Sequence, residues 1–225
     1  MDTQILKYLL VEHLPLLQEG FHNGLAMLAQ KNPHITLKGK EIITQEGYGN
    51  FLTSLKDMDG LNLIWMNIDF PLSKQEKRFQ FTLLDTLKKY NPEVQILVVL
   101  QHATVYTLRI VFQKINPHVI LELKDCDQKT IYAALKATMQ NEILYSKSIL
   151  HLLHTFLQTF ESMDHVDFTI LHELDLGTAV SALPEKVFLS PATILTRRAN
   201  LKALFKLEGK TDSHLLQEVK RLGYV

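Results

Sequence analysis

An amide follows an apolar run in the stretch "NLIWMNIDFP", which extends from Asn62 to Pro71. The run Leu63 to Met66 that stops at Asn67 predicts a buried strand ending at the edge of a parallel sheet, where α/β proteins carry their chemistry. A carboxylate at this point would be able to act as a nucleophile or to hold a hard cation, whereas an amide has no charged oxygen for either task. Asn67 therefore raises the question of what a site at this sheet edge can do.

The remaining sequence offers little enzymatic chemistry. It has no evident nucleophile–base pair and no glycine-rich phosphate loop. Its single cysteine, Cys126, excludes an internal disulfide framework, and we expect an inert thiol because no activating base lies beside it. Acidic and basic residues are equal in number, so the whole chain has no charge excess that would attract a polyanion. We expect no enzymatic activity, no cofactor and no metal.

A second group of residues lies near the C-terminus, in the stretch "LSPATILTRRANLKALFKL". Ser190 suits a helix N-cap, Pro191 suits the first helical position, and Gly209 can end the helix. From residue 185 to the end, eight basic residues stand against four acidic ones, which makes this tail basic. The charge split between tail and remainder indicates two modules.

Winding this stretch at about 100° per residue separates an apolar face from a face of small, uncharged residues. Ile194, Leu201 and Phe205 share the apolar face, and the opposite stripe consists of Ala192, Thr196, Ala199, Asn200 and Ala203. Small outward side chains let a helix approach the floor of a DNA major groove, with long basic side chains beside it for phosphates. The predicted DNA-contacting residues are Thr193, Leu195, Thr196, Arg197, Arg198, Asn200, Lys202 and Lys206.

Strand-like and helix-like segments alternate over the first two-thirds of the chain. Strands are predicted in "QILKYLLV", "HITLKGKEIIT", "LNLIWMN", "VQILVVL" and "HVILEL", with helical stretches between them. Parallel strands need crossover connections of this length, so the pattern predicts a doubly wound, five-stranded parallel sheet. An amphipathic helix, "YSKSILHLLHTFLQTFES", follows, and the tail after it is expected to be all-helical.

These segments together resemble a known family. "LPEKVF" followed by "LSPATILTRRANLKALFKL" looks like the scaffold, turn and recognition helix of LuxR-type helix-turn-helix domains. The N-terminal alternation, with "VEHLPLLQEGF", "LKD" at Leu123 to Asp125 and Pro71 four residues after Asn67, resembles the receiver domain of NarL/FixJ-type response regulators. The resemblance implies a flavodoxin-like receiver domain over 1–142, a linker helix over 143–163 and a helix-turn-helix domain over 164–225.

The resemblance also assigns positions to a phospho-acceptor pocket. In receivers, an aspartate at the end of the third strand accepts a phosphoryl group and holds magnesium together with an acidic pair. By position, the acidic pair falls on Glu12 and His13, the acceptor on Asn67, the hydroxyl position on Leu100 and the lysine on Lys124. An amide cannot form an acyl-phosphate, and a leucine has no hydroxyl, so the resemblance implies a degenerate pocket.

Two further expectations concern this pocket. Lys124 is expected to form a permanent ion pair with Glu12 in place of metal and phosphate. Asp69 is the nearby carboxylate that would serve as a displaced acceptor, although a solvated loop residue is the simpler interpretation.

The sequence thus predicts a cytoplasmic transcription regulator that binds double-stranded DNA as a homodimer, independently of phosphorylation. The alternative is an adaptor that holds a partner regulator and has little DNA affinity. Pro184 favours the adaptor because it falls inside the expected scaffold helix, which should be kinked or begin at that residue. No apolar run approaches the roughly 20 residues of a membrane span, so no membrane partner is expected.

The last helix, within "TDSHLLQEVKRLGYV", has two possible roles. Its apolar residues Leu215, Leu216 and Val219 are candidates for a dimer interface, as the resemblance to LuxR-type domains implies. Packing inside the monomer is an equally plausible role for them.

Overall fold

The computed structural model describes residues 4–42, 60–68, 85, 88–89, 91–159 and 162–225. The chain divides into two compact units, Met1–His102 with Val111–Ile149, and Ala103–Ile110 with Leu150–Val225. Within the described ranges, no helix is long and apolar enough to cross a membrane. The same ranges contain no group of three histidine, cysteine or acidic residues placed to hold a metal ion. The domain boundaries expected from the sequence stay a prediction.

The first unit is built on a parallel sheet with the strand order β2-β1-β3-β4-β5-β6. The doubly wound α/β fold predicted from the sequence is confirmed, and the strand expected in "HITLKGKEIIT" is present. Among the described residues the sheet has six strands where five were expected, because Leu144–Tyr145 pairs with β5 as a two-residue edge strand. The strands are β1 (Gln4–Val11), β2 (Ile35–Ile42), β3 (Leu63–Ile68), β4 (Gln95–Leu100), β5 (Val119–Glu122) and β6 (Leu144–Tyr145).

The strand order reverses direction between β1 and β3. The chain moves outward from β1 to β2 and then crosses back to β3, with Val11 of β1 beside Met66 of β3. In open parallel sheets, a crevice forms at the carboxyl ends of the strands at such a switch point. Glu12, immediately after β1, and Asn67, near the end of β3, are therefore brought together at this edge.

Helices α1 (Pro15–Lys31) and α3 (Gln128–Met139) share a hydrophobic core with one face of the sheet. Phe21 of α1 makes edge contacts with Trp65 of β3, with ring centroids 5.0 Å apart. A Cβ atom at Gly24 would lie 2.7 Å from Leu135 Cδ1, so the absence of a side chain permits the close approach of α1 to α3. Helix α2 (Val105–Lys114) follows β4. The buried alternate residues of β1, β3, β4 and β5 anchor this packing.

The second unit is helical, as the sequence predicts. Its helices are α4 (Lys147–Thr159, of which Leu150 onward belongs here), α5 (His165–Asp175), α6 (Leu183–Val187), α7 (Pro191–Leu204) and α8 (Asp212–Arg221). Ser190 caps α7 by accepting a hydrogen bond from Thr193 N, and Pro191 opens the helix as expected.

The scaffold helix is shortened at Pro184, which confirms the expected effect of that proline. A 3₁₀ turn over Val180–Ala182 precedes α6, and Pro184 lies in the first turn of α6, where its missing N–H breaks no helical bond. Phe188 ends α6 in a left-handed conformation with φ of 56° and is 90% exposed. The turn before α7 therefore presents an aromatic side chain to solvent.

Two of the three predicted dimer contacts belong to the interior. Leu215 and Val219 of α8 are fully buried in the second unit, together with Leu201 of α7 and Phe168 of α5. Leu216 is half-buried. Leu215 and Val219 thus pack inside the monomer, which is one of the two roles that the sequence left open. These two side chains offer no exposed surface for a dimer.

Candidate functional site

The carboxylate of Glu12 is saturated by hydrogen bonds from its own surroundings. Its Oε1 accepts from Asn67 Nδ2 at 2.8 Å and from the backbone N–H groups of His13 and Leu14, both at 2.9 Å. Its Oε2 accepts from the indole N–H of Trp65 at 3.3 Å. With Glu12 only 2% exposed, these four donors compensate a carboxylate withdrawn from water.

The expected ion pair between Glu12 and Lys124 is wrong. Lys124 Nζ instead lies 2.9 Å from Glu122 Oε2, at the end of β5, and its side chain is largely exposed. The physical reason is that Glu12 already has four donors, whereas Glu122 is two residues from Lys124. Lys124 therefore lies at the sheet edge as expected, but its ion-pair partner is Glu122.

Of the other predicted pocket residues, His13 lies just after the end of β1 and Leu100 lies at the end of β4. His13 follows Glu12, with its Nδ1 3.8 Å from Glu12 Oε1, and its side chain is half exposed. Leu100 ends β4 and is fully buried. Asp69, the alternative acceptor, lies outside the described residues. Asn67 is thus hydrogen-bonded directly to Glu12, and the position that the resemblance assigns to a hydroxyl holds a buried leucine.

Cys126 has the character of an unreactive thiol, as expected. It is half-buried, and its Sγ lies 3.4 Å from the backbone oxygen of Glu122. Burial, reinforced by the negative charge of Asp125, raises the pKa of the thiol to about 12. Since the thiolate is the reactive species, Cys126 is protonated throughout the physiological pH range.

Helix α7 presents the uncharged stripe that the sequence predicts. Ile194 and Leu201 are buried, whereas Leu195 is 65% exposed. The exposed stripe, called the α7 stripe below, consists of Ala192, Thr193, Leu195, Thr196, Ala199, Asn200 and Ala203. The predicted contact residues Thr193, Leu195, Thr196 and Asn200 therefore share one open surface.

Arg197, whose role as a phosphate contact stays a prediction, is held by two carboxylates of its own unit. Its Nη1 lies 2.8 Å from Asp164 Oδ2 and 2.9 Å from Asp167 Oδ1. The hydrogen bond to Asp167, supported by Asp164, raises the pKa of the guanidinium above its usual value. A DNA phosphate would have to compete with two carboxylates already in place.

Arg198 and Lys202 both form ion pairs with Asp212, the first residue of α8. Arg198 Nη2 bonds to Asp212 Oδ2, and Lys202 Nζ lies 2.9 Å from Asp212 Oδ1. Burial alone would raise the pKa of Asp212, but Lys202 and Arg198 outweigh it, and the pKa is lowered. Among the predicted basic contacts, Lys206 is the one that is exposed without an ion pair to another described residue.

The sequence reasoning missed the acidic partners of these cations. Asp164 and Asp167 form a reciprocal capping box at the start of α5, and their oxygens also contact Arg197, which follows Asp167 by 30 residues. Residues 164–225 contain eight acidic and eight basic residues, so the basic excess after residue 185 is balanced by four acidic residues before it. The sequence pattern that could have revealed Asp164 and Asp167 is Asp-x-x-Asp before an apolar helix, which is typical of a capping box.

A cavity of about 590 Å³ adjoins the α7 stripe within the second unit. Its lining includes Thr196 and Asn200 from the stripe, with Arg197 and Asp167 beside them. The stripe therefore borders a concave, mixed polar and apolar surface, open enough to receive the edges of bases or the side chains of a partner.

Comparison with solved structures gives full-length matches. The chain is similar to RcsB in "Structure of the two-component response regulator RcsB-DNA complex", with 16% identity, a TM-score of 0.60 and coverage of 96% of this chain and 98% of that one. It is also similar to RcsB from Salmonella enterica serovar Typhimurium bound to promoter P1flhDC, with 18% identity, a TM-score of 0.57 and coverage of 97% and 98%.

Sequence comparison adds nothing to these matches, since no protein-family model and no curated protein matches the chain. At 15–18% identity the structural likeness is one of fold. The sequence-based expectation of a receiver-like α/β domain followed by a helix-turn-helix domain is thereby confirmed. The chain has the fold of the response regulator RcsB along nearly its whole length.

Proposed function

We propose that this protein is a cytoplasmic transcription regulator that binds double-stranded DNA through helix α7. The observation that carries the proposal is the α7 stripe, an exposed row of small and uncharged side chains on the helix that follows a short scaffold helix and turn. Small side chains of this kind let a helix approach the floor of a major groove closely. The similarity to RcsB supports this role, because the matched RcsB structures are complexes with DNA.

The regulator acts as a homodimer in this proposal. Two recognition helices related by a two-fold axis meet half-sites one helical turn apart, which a single small helical domain does not achieve. A matched RcsB structure is described as two dimers bound to two parallel DNAs, which supports the same arrangement. The protein has no catalytic step of its own in this mechanism.

The receiver-like domain, in this proposal, works independently of phosphoryl transfer. Asn67 donates a hydrogen bond to Glu12 where a phospho-acceptor would need a free carboxylate. Leu100, which is fully buried, has no hydroxyl to contact a phosphoryl oxygen. Control of DNA binding would then come from the amount of protein or from a partner, and not from an acyl-phosphate.

Electrophoretic mobility shift of the DNA upstream of the protein's own gene tests DNA binding. We expect saturable binding that resists competitor DNA and weakens at least tenfold in Thr196→Ala combined with Asn200→Ala, which removes two exposed polar side chains of the stripe. Gln140→Ala, an exposed amide of the first unit, is the matched control. An unchanged DNA affinity in the Thr196→Ala, Asn200→Ala double variant would contradict the proposal.

Incubation with acetyl phosphate or with beryllofluoride, each with magnesium, tests independence from phosphorylation. The expected result is an unchanged protein mass and an unchanged DNA affinity. A mass increase of one phosphoryl group, mapped to a carboxylate such as Asp69, would refute this part and leave DNA binding untouched.

A second candidate function is an adaptor that controls a partner regulator. The observation that favours it is the equal number of charges over residues 164–225, with Arg197, Arg198 and Lys202 held in internal ion pairs. Nucleic-acid binding usually relies on unpaired cations, so this balance weakens non-specific attraction to DNA. Purification from the native cell distinguishes the two functions, since an adaptor would copurify with a second regulator and bind DNA only in its presence.

A further inference from the structure

The α7 stripe has an unusual shortage of groups able to donate hydrogen bonds. Thr196 Oγ1 donates to the backbone oxygen of Ala192 at 3.2 Å, which uses its one hydrogen. Thr193 Oγ1 is engaged with Ser190 Oγ at 2.8 Å. Apart from the Thr193 hydroxyl, which shares a hydrogen bond with Ser190, the donor that the stripe offers is the amide of Asn200, which has no hydrogen bond to another described side chain.

The large apolar side chain of the stripe is that of Leu195. It is 65% exposed on the second turn of α7, and a leucine of this exposure contributes little to the packing of its own unit. In the major groove, the matching feature is the C5-methyl group of thymine, which apolar side chains contact and which no other standard base carries.

Guanine is correspondingly hard for this helix to recognise. Its usual partner is an arginine or a lysine that donates hydrogen bonds to O6 and N7. Lys202 is bound by Asp212, and Lys206 lies beyond the end of α7, outside the stripe. Arg197 is bound by Asp164 and Asp167, and Arg198, with a side chain only 15% exposed, is bound by Asp212. Reading a guanine would first require breaking partly buried ion pairs.

We propose that α7 reads A·T base pairs, with Leu195 on a thymine methyl group and the Asn200 amide on N6 and N7 of an adenine. This specificity rests on the proposed DNA-binding function and goes beyond it by naming the bases and the side chains that select them. The two side chains are five residues apart, about 7.5 Å along the helix, which is close to two base-pair steps. The contacts therefore fall on different base pairs.

The test begins with selection of binding sites from a random duplex pool by the full-length protein. The enriched site is then synthesised with each thymine replaced in turn by deoxyuridine, which removes only the C5-methyl group. Affinity is measured by fluorescence anisotropy at one fixed salt concentration, because DNA affinity depends steeply on salt. We expect a loss of about fourfold at a contacted thymine, the value of one buried methyl group.

Protein variants connect the effect to its side chain. Leu195→Ala should bind the thymine and deoxyuridine sites equally, whereas Leu16→Ala, which trims an exposed leucine of α1, should keep the fourfold difference. Asn200→Ala should lose roughly tenfold in affinity and relax the preference for adenine at one position. Each variant is first checked for an unchanged thermal unfolding curve.

The outcomes separate the inference from the proposed function. An enriched site without sensitivity to deoxyuridine, or a sensitivity that survives Leu195→Ala, overturns the thymine contact and leaves DNA binding standing. A site rich in G·C pairs overturns the inference in the same way. No enrichment of any sequence overturns both the inference and the proposed function.

Discussion

Replacing Asn67 by aspartate should destabilise the first unit in a pH-dependent way. In the native pocket, Asn67 Nδ2 donates to Glu12 Oε1 at 2.8 Å. The substitution Asn67→Asp removes this donor and places a second carboxylate against the first, in a buried site. At an effective dielectric constant of about 20, two unit charges so close repel each other by about 6 kcal/mol.

The folded variant avoids most of this repulsion by keeping a proton on one of the two carboxyl groups. Holding a carboxyl group protonated at pH 7, about three units above its ordinary pKa, costs about 4 kcal/mol. We therefore expect the free energy of unfolding to fall by about 4 kcal/mol at pH 7. Above about pH 4 the folded variant binds one proton more than the unfolded chain, so its stability decreases as pH rises, by up to about 1.4 kcal/mol per pH unit.

Tryptophan fluorescence provides the assay. Trp65 is the single tryptophan, and its indole N–H donates to Glu12, so its emission reports the unfolding of this pocket selectively. Urea titrations at pH 4.5, 6 and 7.5 give the pH dependence of the unfolding free energy. The control is Asn62→Asp, since Asn62 is exposed and its Oδ1 accepts from Lys7 N, a role that a carboxylate also fills. Its effect should stay within about 0.5 kcal/mol at each pH.

Two results would refute the reasoning about the pocket. The first is an equal loss of stability in Asn67→Asp at pH 4.5 and at pH 7.5, which would mean that no shared proton is involved. The second is a loss no larger than that of Asn62→Asp, which would mean that the introduced carboxyl group avoids Glu12.

Further predictions concern the second unit and the thiol. Asp164→Asn combined with Asp167→Asn should cost about 2 kcal/mol of stability and steepen the salt dependence of DNA binding by about one phosphate contact, because Arg197 then loses both carboxylate partners; a salt plot with the native slope would contradict this. Because the pKa of the Asp212 carboxyl group is lowered, its ion pairs should stabilise the folded chain above pH 3.8, the ordinary pKa, and this contribution should be lost as the pH falls below that value. Acid unfolding of Asp212→Asn, followed by circular dichroism, should therefore show a smaller loss of stability than that of the unmodified protein. Phe188→Gly should stabilise the chain by about 1 kcal/mol, since Phe188 has a positive φ and almost no packing to lose; a lower unfolding temperature would disprove this. Cys126 should react with a maleimide reagent far more slowly than free cysteine at pH 7.5, and a comparable rate would contradict the pKa of about 12.

Features that depend on local pattern were predictable from the sequence. The buried strands are continuous apolar runs, and Ser190 with Pro191 marks the start of α7 by chemistry that acts within one helical turn. The effect of Pro184 was predictable for the same reason. The edge strand β6 was not, because two half-buried residues carry no periodicity.

Pairing between distant charges could not be predicted in the same way. Helical periodicity places Arg197 and Arg198 at the borders of the stripe, but it does not reveal that carboxylates from α5 and α8 are already beside them. Likewise, Lys124 and Glu12 retain the residue types expected for a receiver, but four local donors satisfy Glu12 and leave Lys124 to Glu122. Which partner a charge selects depends on three-dimensional competition, which one sequence does not record.

The ion pairs of α7 have a consequence for the thermodynamics of recognition. Asp167 in α5 holds the helix through Arg197, and Asp212 in α8 holds it through Arg198 and Lys202. The orientation of the helix and the rotamers of three long side chains are therefore fixed before any ligand arrives. Ligand binding then costs less conformational entropy, because these side chains were already ordered on folding. Residues that never touch the ligand thus determine how rigidly Leu195 and Asn200 are presented to it.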